Sequence, residues 1–334
     1  MSPSSFPSVI LKGLGAYVPE QRLTNADLSK IVDTSDEWIA SRTGIRERRI
    51  AGDNETASDM AEHAARRALH NARIAHEAID LLIVATMTPD MPFPSTACLV
   101  QQKLGLRSIP SFDIQAACSG YLYTQSLAVN MIRSGHGYRN VLVIGTERLS
   151  RILDWKDRAT CVLFGDGAGA VVLSSTEQPD IGVLGTALGA DGSNTDMLCM
   201  PGGGSACPPT TRSVREGLHF LKMNGRETFK IAIRVMEQCS KELLDRFGLG
   251  PDDISCVIPH QANMRIIEAL AERLMIPIDR FLVNIDRYGN TSAASIPIAL
   301  EEACQQKKIH SGDYILMAAF GAGLTWGASL IKWP

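Results

Sequence analysis

Cys118 is the residue whose surroundings first indicate chemistry. It lies in the stretch DIQAACSGYLYTQSL (113–127), after a strand-like run and before a helix-like run. At the first turn of a helix, unpaired N–H groups and the helix dipole favour an anion, so this position predicts a stabilised thiolate. The small neighbours Ala117, Ser119 and Gly120 leave room for a carbonyl group to approach. From position alone, Cys118 is either a nucleophile or a packed structural thiol.

His260 and Asn290 are the other side chains that could act on a carbonyl group. His260 directly follows the apolar run CVIP, and α/β proteins build their sites at the ends of parallel strands. Taken alone, it could equally be satisfied by a backbone carbonyl. Asn290 lies in RYGNTSAAS, where Gly-Asn is also ordinary turn chemistry. Together, a thiol, an imidazole and a carboxamide fit acyl transfer through a thioester, with two neutral donors that hold an oxyanion.

Two glycine-rich bends lie between strand-like runs. The first, FGDGAGAV (164–171), is followed by another strand and not by a helix, which argues against a dinucleotide-binding fingerprint and favours a tight turn. The second, FGAGLTWG (320–327), occupies the corresponding place in the second half of the chain. Its backbone N–H groups could supply a second donor to an oxyanion.

Helix-like and strand-like segments alternate along the chain, which predicts βαβ units and an α/β fold. A constant offset of 173 residues relates the two halves: it places Asp80 on Asp253 and Ser119 on Ser292. We interpret this offset as an internal duplication.

The duplication predicts a division into two similar halves joined by an irregular segment. Packed about a pseudo-twofold axis, such halves place equivalent corners close together, so we expect Cys118 and Asn290 to face one cavity. The predicted parts are a first half (1–175) with a cap or insertion (19–55), a linking segment (176–226) and a second half (227–334).

Composition excludes several classes of protein. The net charge of −3 over 334 residues gives no basic excess for nucleic acid. We expect no signal peptide and no membrane span, because no run of 18 apolar residues occurs. The eight cysteines are scattered without CxxC pairs, which favours reduced thiols in a cytoplasmic protein and indicates no metal site.

Six motifs, in order over nearly the whole chain, resemble those of β-ketoacyl-acyl carrier protein synthase III, in the thiolase-like superfamily. They are TSDEWIASRTGIRERR, AACSGY, FGDGAGA, PHQANMRI, GNTSAAS and FGAGLTWG. The resemblance implies a duplicated α/β thiolase-like fold with five layers, α-β-α-β-α, in a homodimer. It also implies that Cys118 is acylated and that His260 and Asn290 bind a thioester carbonyl. The backbone N–H groups of Cys118 and Ala322 would form the oxyanion hole.

The same resemblance implies the substrates and their contacts. The reaction would join an acyl-CoA primer to malonyl-acyl carrier protein with loss of CO₂, and coenzyme A would be a substrate, with no cofactor required. The residues implied for coenzyme A are Trp38, Arg42, Thr43, Arg158 and Asn263. Those implied for the carrier protein are Gln261, Ala262, Asn263, Met264, Arg265 and Lys230, and those for the acyl pocket are Phe93, from the partner subunit, and Phe320.

Three other functions remain open from the sequence. One is a condensing enzyme of the same fold that makes a quinolone- or polyketide-type product. Another is a Cys-His-Asn hydrolase of amides or thioesters, which needs a path for water and an imidazole within reach of the thiol. The third is a scaffold without catalysis.

Overall fold

The computed structural model describes residues 6–334, apart from the side chain of residue 226. Its strands are β1 (Ser8–Tyr17), β2 (Arg22–Thr24), β3 (Glu47–Arg49), β4 (Leu81–Ala85), β5 (Ser111–Ile114), β6 (Asn140–Glu147), β7 (Gly167–Thr176), β8 (Gly182–Ala190), β9 (Leu198–Cys199), β10 (Lys222–Met223), β11 (Ile254–Pro259), β12 (Tyr314–Gly321) and β13 (Thr325–Lys332). Its helices are α1 (Asn25–Leu28), α2 (Asp36–Thr43), α3 (Ala57–Ala72), α4 (Thr96–Leu104), α5 (Gly120–Arg133), α6 (Arg158–Cys161), α7 (Thr211–Arg215), α8 (Gly225–Phe247), α9 (Met264–Leu274), α10 (Ile285–Tyr288) and α11 (Ser295–Gln305). None of the helices described is both long and apolar enough to cross a bilayer.

Two sheets with related topology organise these elements. The first has the order β1-β7-β6-β4-β5, with β5, β4 and β6 parallel and with β7 and β1 antiparallel. The second has the order β11-β12-β13-β8, with β11 and β12 parallel and with β13 and β8 antiparallel. Thus β4, β6, β7 and β1 of the first sheet correspond to β11, β12, β13 and β8 of the second. The counterpart of β5 is reduced to a single bridge between Val257 and Phe281.

The sheets and helices stack in the five layers that the resemblance implies. Along β6, Val141 and Val143 pack with α5 and α11 in a central core, whereas Leu142 and Ile144 face α3 and α4. Strand β12 alternates in the same way between the central core and a core formed with α8 and α9. Both parallel regions are apolar on their two faces because helices cover both.

Two details of the sequence prediction are wrong. Residues 182–190, within the segment predicted to be irregular, form β8 and pair with β13 along its length. The offset of 173 also fails at the corners of the two halves: short 3-10 turns begin at Ala117 and at Ser292, with φ of 45° and 47°. Matching these turns places Cys118 on Ala293. The proposed division at residues 175 and 227 stays a prediction.

Candidate active site

A tight corner between β5 and α5 holds Cys118. The 3-10 turn Ala117–Ser119 leads directly into α5, and it packs against the equivalent turn Ser292–Ala294 of the second half. Gly321, at the end of β12, lies so close that a Cβ atom there would stand 2.6 Å from the backbone nitrogen of Cys118. Glycine is therefore required for the chain to approach the cysteine.

The thiol of Cys118 is buried, and its surroundings differ from the sequence expectation. Burial raises the pKa of the thiol to about 12; a hydrogen bond with the hydroxyl of Ser292 opposes that shift, and the negative charge of Glu147 adds to it. The predicted stabilisation of a thiolate at the helix start is thus outweighed by desolvation. The resting group is a thiol, which must lose its proton before or during an attack.

His260 is placed by the end of β11. Its backbone N–H donates to the carbonyl oxygen of Ala318 at 2.8 Å, and its Nδ1 lies 2.6 Å from Oγ of Ser295. Burial lowers the pKa of the imidazole to about 3, so the ring is neutral at physiological pH. Nε2 is buried and has no hydrogen-bond partner in the described chain.

Asn290 is held through its backbone and through one side of its carboxamide. Its N–H donates to the carbonyl oxygen of Leu163 at 2.8 Å, and its own carbonyl accepts from the N–H of Gly165 at 3.0 Å. Its Oδ1 accepts from the backbone N–H of Ser292 at 2.8 Å. This bond orients the carboxamide and leaves the Nδ2 hydrogens for another acceptor.

Cys118, His260 and Asn290 line the same cavity, together with Phe320. The cavity has a volume of about 130 Å³ and is otherwise mainly apolar. A void of about 150 Å³ holds a benzene-sized molecule, so only a small group fits beside the thiol. The expected convergence of the three side chains from the two halves is therefore observed. A thiol with two neutral polar groups in a desolvated pocket is suited to acyl transfer.

A comparison with family models and a comparison with individual relatives identify the same family. Residues 112–192 match the family model described as 3-oxoacyl-[acyl-carrier-protein (ACP)] synthase III, and residues 244–333 match the model of its C-terminal part. A β-ketoacyl-[acyl-carrier-protein] synthase III from Caldanaerobacter subterraneus is 54% identical over 321 residues, which is 96% of each chain. The chain belongs to the β-ketoacyl-[acyl-carrier-protein] synthase III family. It is therefore an acyltransferase of the condensing type, which carries out the initiating condensation of fatty-acid synthesis.

Solved structures of this family have the same fold. The 3-oxoacyl-[acyl-carrier-protein] synthase III of Aquifex aeolicus is 51% identical, with a TM-score of 0.91 over 98% of this chain and 100% of that one. The priming β-ketosynthase of the R1128 polyketide pathway is 34% identical, with a TM-score of 0.90 over 98% and 97% of the two chains. The higher identity to the fatty-acid enzymes does not favour the polyketide, hydrolase or scaffold alternatives.

Trp38, Arg42 and Arg158 form one cluster, in which both arginines are exposed. The guanidinium carbons of Arg42 and Arg158 lie 4.5 and 4.7 Å from the centre of the Trp38 ring. Thr43, predicted to contact the same ligand, is buried. Its hydroxyl donates to the carbonyl oxygen of Ile39 and accepts from the N–H of Ile45. The Thr43 hydroxyl is therefore already engaged within the chain, and a contact of Thr43 with coenzyme A stays a prediction.

The segment 261–265 splits between the interior and the surface. Gln261 is buried, and its amide donates to the carbonyls of Pro259 and Leu282. A contact of Gln261 with the carrier protein stays a prediction. Asn263 caps the start of α9, and both Ala262 and Asn263 line the cavity. Met264 is partly buried at the start of α9. The exposed Arg265 donates to the carbonyl oxygen of Ser41 at 2.9 Å, and the exposed Lys230 pairs with Glu227 at 3.0 Å.

Two further predicted residues lie outside the cavity. Ala322 lines a neighbouring cavity with Met87, Ile152 and Leu221, and Leu198 borders both cavities. Phe93 is 84% exposed in the loop before α4. The position of Ala322 does not contradict its role as a main-chain donor, and that of Phe93 does not contradict a contact with a second subunit. Both roles remain predictions.

Sequence reasoning missed three polar groups around the site. Ser292 and Ser295 lie within the quoted motif GNTSAAS but received no role, and Glu147 ends the buried strand NVLVIGTE. Glu147 is fully buried and accepts hydrogen bonds from Thr88 and Ser292. An acidic residue at the carboxyl end of an apolar strand was the signal that could have identified it.

Proposed function

We propose that the chain transfers an acyl group from acyl-CoA to Cys118 and condenses it with malonyl-acyl carrier protein. The convergence of Cys118, His260 and Asn290 on one desolvated cavity carries this proposal. The names of the relatives, which specify an acyl carrier protein, support the second substrate. The product is a β-ketoacyl-acyl carrier protein, and the reaction as written needs no cofactor.

The first half-reaction acylates the thiol. The sulfur of Cys118 bonds to the carbonyl carbon of the primer, and coenzyme A leaves as a thiolate. The oxyanion formed on the way is held by the backbone N–H groups of Cys118 and Ala322, a main-chain role that needs no particular side chain. The start of α5 adds favourable dipoles to that anion.

The second half-reaction forms the carbon–carbon bond. Malonyl-acyl carrier protein loses CO₂, and the electron pair moves to the thioester oxygen as an enolate. The Nδ2 hydrogens of Asn290 and an N–H of His260 stabilise this oxygen. The enolate carbon then attacks the thioester carbon on Cys118, and the sulfur leaves. Neutral donors suit this step because the buried imidazole, with its pKa of about 3, stays uncharged.

Coenzyme A binds at the cluster of Trp38, Arg42 and Arg158. An aromatic base stacks between the indole ring and the guanidinium of Arg158, which must rotate outward because the present 4.7 Å contact leaves no space for a ring. Arg158 is exposed and its hydrogen bond to the carbonyl oxygen of Asp33 is at the surface, so this movement costs little. Asn263 contacts the pantetheine arm from the cavity wall.

The carrier protein docks on the exposed cations Arg265 and Lys230. Arg265 lies on α9 and Lys230 lies on α8, and both helices contribute residues to the cavity wall. Carrier proteins are acidic, so a small basic patch is sufficient although the whole chain has a net charge of −3. We also propose that the enzyme is a cytoplasmic homodimer in which the exposed Phe93 of each subunit closes the acyl pocket of the other.

Mass spectrometry of the intact protein tests this function. Incubation with acetyl-CoA should give a stable acetyl adduct on Cys118, and the adduct should disappear only after malonyl-acyl carrier protein is added, with formation of acetoacetyl-carrier protein. Rapid release of free acetate before that addition would instead indicate a hydrolase. No adduct with any acyl-CoA would refute the first half-reaction.

Ser295 should set the tautomer of His260. To donate from Nε2 to an enolate, a neutral imidazole must accept at Nδ1, so the Ser295 hydroxyl must donate there across 2.6 Å. Replacement of Ser295 by alanine removes this preference and should slow decarboxylation of malonyl-acyl carrier protein by about tenfold, equivalent to ~1.4 kcal/mol. Ser295→Thr, which keeps the hydroxyl, should restore most of the rate. Equal rates in the alanine variant and the native protein would contradict the assignment.

A further inference from the structure

Glu147 is a buried carboxylate that the steps above do not use. It ends β6 and faces the 3-10 turn that carries Ser292. The hydroxyl oxygen of Ser292 lies 3.2 Å from Oε1 of Glu147. The turn that carries Ser292 packs against the turn that carries Cys118, and the Ser292 side chain lowers the pKa of the thiol. The Ser292 side chain therefore interacts with both the thiol of Cys118 and the carboxylate of Glu147.

The other contacts of Glu147 fix it as an acceptor. Oγ1 of Thr88 lies 2.5 Å from Oε2 and itself accepts from the N–H of Arg148. Oγ1 of Thr86 lies 3.3 Å from Oε2 and itself accepts from the N–H of Thr88. Because each threonine oxygen already accepts one hydrogen, its own hydroxyl hydrogen is directed to the carboxylate. The N–H of Met87 is a further donor at 3.2 Å.

No lysine, arginine or histidine among the described residues forms an ion pair with Glu147, and the charge of Glu147 raises the pKa of the Cys118 thiol. Burial raises the pKa of Glu147 to about 7, against the effect of its hydrogen-bond donors. Its carboxylate can therefore gain or lose a proton near neutral pH.

Charged side chains of the adjoining segments are engaged elsewhere: Arg148 with the carbonyls of residues 52 and 53, Asp166 with residues 51 and 150, Asp90 with Ser58, and Asp59 with Lys103.

We propose, building on the acyl transfer proposed above, that Glu147 accepts the proton of Cys118 through Ser292 during acylation and returns it after condensation. Glu147 does not touch the acyl group and acts through the serine hydroxyl. A thiol that burial keeps protonated needs such an acceptor.

The proton transfers balance over one cycle. In acylation, the S–H hydrogen passes to Oγ of Ser292, the serine hydrogen passes to Oε1 of Glu147, and the departing coenzyme A thiolate takes a proton from solvent. In condensation, the enolate carbon displaces the sulfur of Cys118 as a thiolate, and the reverse transfer restores the thiol and the carboxylate. The carboxyl group is neutral while the malonyl carboxylate and the enolate occupy the site. Two buried anions are therefore never placed together.

Single-turnover acyl transfer tests this path, with acetyl-CoA and, separately, with p-nitrophenyl acetate. In Glu147→Gln at pH 8, the rate of acylation of Cys118 should fall by about 10²-fold with both donors. In the native protein, the rate should rise with pH through about 7, because the ionised carboxylate accepts the proton. That inflection, and the slowing of the native rate in D₂O, should both be lost in the variant.

If Glu147 acts only through its negative charge, its replacement should have the opposite effect on the rate of acylation. As a mere negative charge it raises the pKa of the thiol, so its removal would increase the reactivity of Cys118. A native or faster rate in folded Glu147→Gln therefore overturns the proposal. Ser292→Ala must reproduce the loss, and it decides the question if the glutamine variant does not fold.

Asp166→Asn is the matched control. The carboxylate of Asp166 is also buried and accepts from Ala51 and Ser150, but its side chain does not line the cavity of Cys118. The acylation rate of Asp166→Asn should therefore be native. The ester needs neither coenzyme A nor a carrier protein. Native protein that reacts with the ester but not with acetyl-CoA would contradict the proposed primer, while the effects of Glu147→Gln and Ser292→Ala on the ester reaction would still decide the proton path.

Discussion

Replacement of His260 or Asn290 by alanine should reduce the decarboxylation of malonyl-acyl carrier protein by about 10²–10³-fold. Each variant removes one of two neutral donors to the enolate oxygen in a site where burial strengthens every electrostatic interaction. Transfer of an acetyl group to Cys118 should remain measurable, because that step relies on other donors. The two rates are measured separately, as CO₂ release and as acetyl-enzyme formation.

His63→Ala is a suitable control for the histidine variant. His63 lies on α3 and stacks on Tyr17, with ring centroids 4.7 Å apart, and it takes no part in the cavity. Both rates should be native in this variant. If His260→Ala decarboxylated malonyl-acyl carrier protein at the native rate, the role proposed for the imidazole would be wrong.

The sequence was sufficient to predict where the reactive side chains converge. Strand ends and turns recur in both halves of the chain, so the positions of Cys118, His260 and Asn290 could be inferred from the order of elements. The convergence did not require an accurate offset: the predicted match of Ser119 with Ser292 is wrong, yet Asn290 still lines the cavity. Topology tolerates small insertions because it depends on which strands are neighbours.

The orientation of individual side chains could not be predicted in the same way. Thr43 and Gln261 lie in the expected segments, but both turn inward and use their polar atoms on nearby backbone groups. A motif fixes the place of a residue in the chain, whereas burial and hydrogen bonding decide which way it points. Strand β8 was missed for a related reason: GVLGTALGA is glycine-rich and lacks a clear alternation of apolar and polar residues.

The protonation state of the site was also hidden from the sequence. A cysteine at a helix start predicts a thiolate, but full burial raises the pKa of Cys118 to about 12 and lowers that of His260 to about 3. Desolvation is a property of the assembled core and exceeds the local effect of a helix dipole. The thiol of Cys118 and the imidazole of His260 are therefore both uncharged at rest, which is the state required for binding an enolate through neutral donors.

Replacement of Cys118 by serine should abolish acyl transfer, with a loss of at least about 10³-fold. A serine hydroxyl has a much higher pKa than a thiol, and it would be a poor leaving group when the enolate attacks. Cys118→Ala should likewise form no acyl-enzyme but should still decarboxylate malonyl-acyl carrier protein, since His260 and Asn290 remain. Its product should be acetyl-carrier protein in place of the β-ketoacyl product.

Cys98→Ala distinguishes loss of this thiol from loss of any thiol. Cys98 is exposed on α4, away from the cavity, and its removal should leave condensation unchanged. Product analysis by mass spectrometry then separates the outcomes. Acetyl-carrier protein from Cys118→Ala places the sulfur in carbon–carbon bond formation and the two neutral donors in decarboxylation. A native yield of β-ketoacyl product from Cys118→Ala would require another nucleophile, and the buried corner before α5 would then have only a structural role.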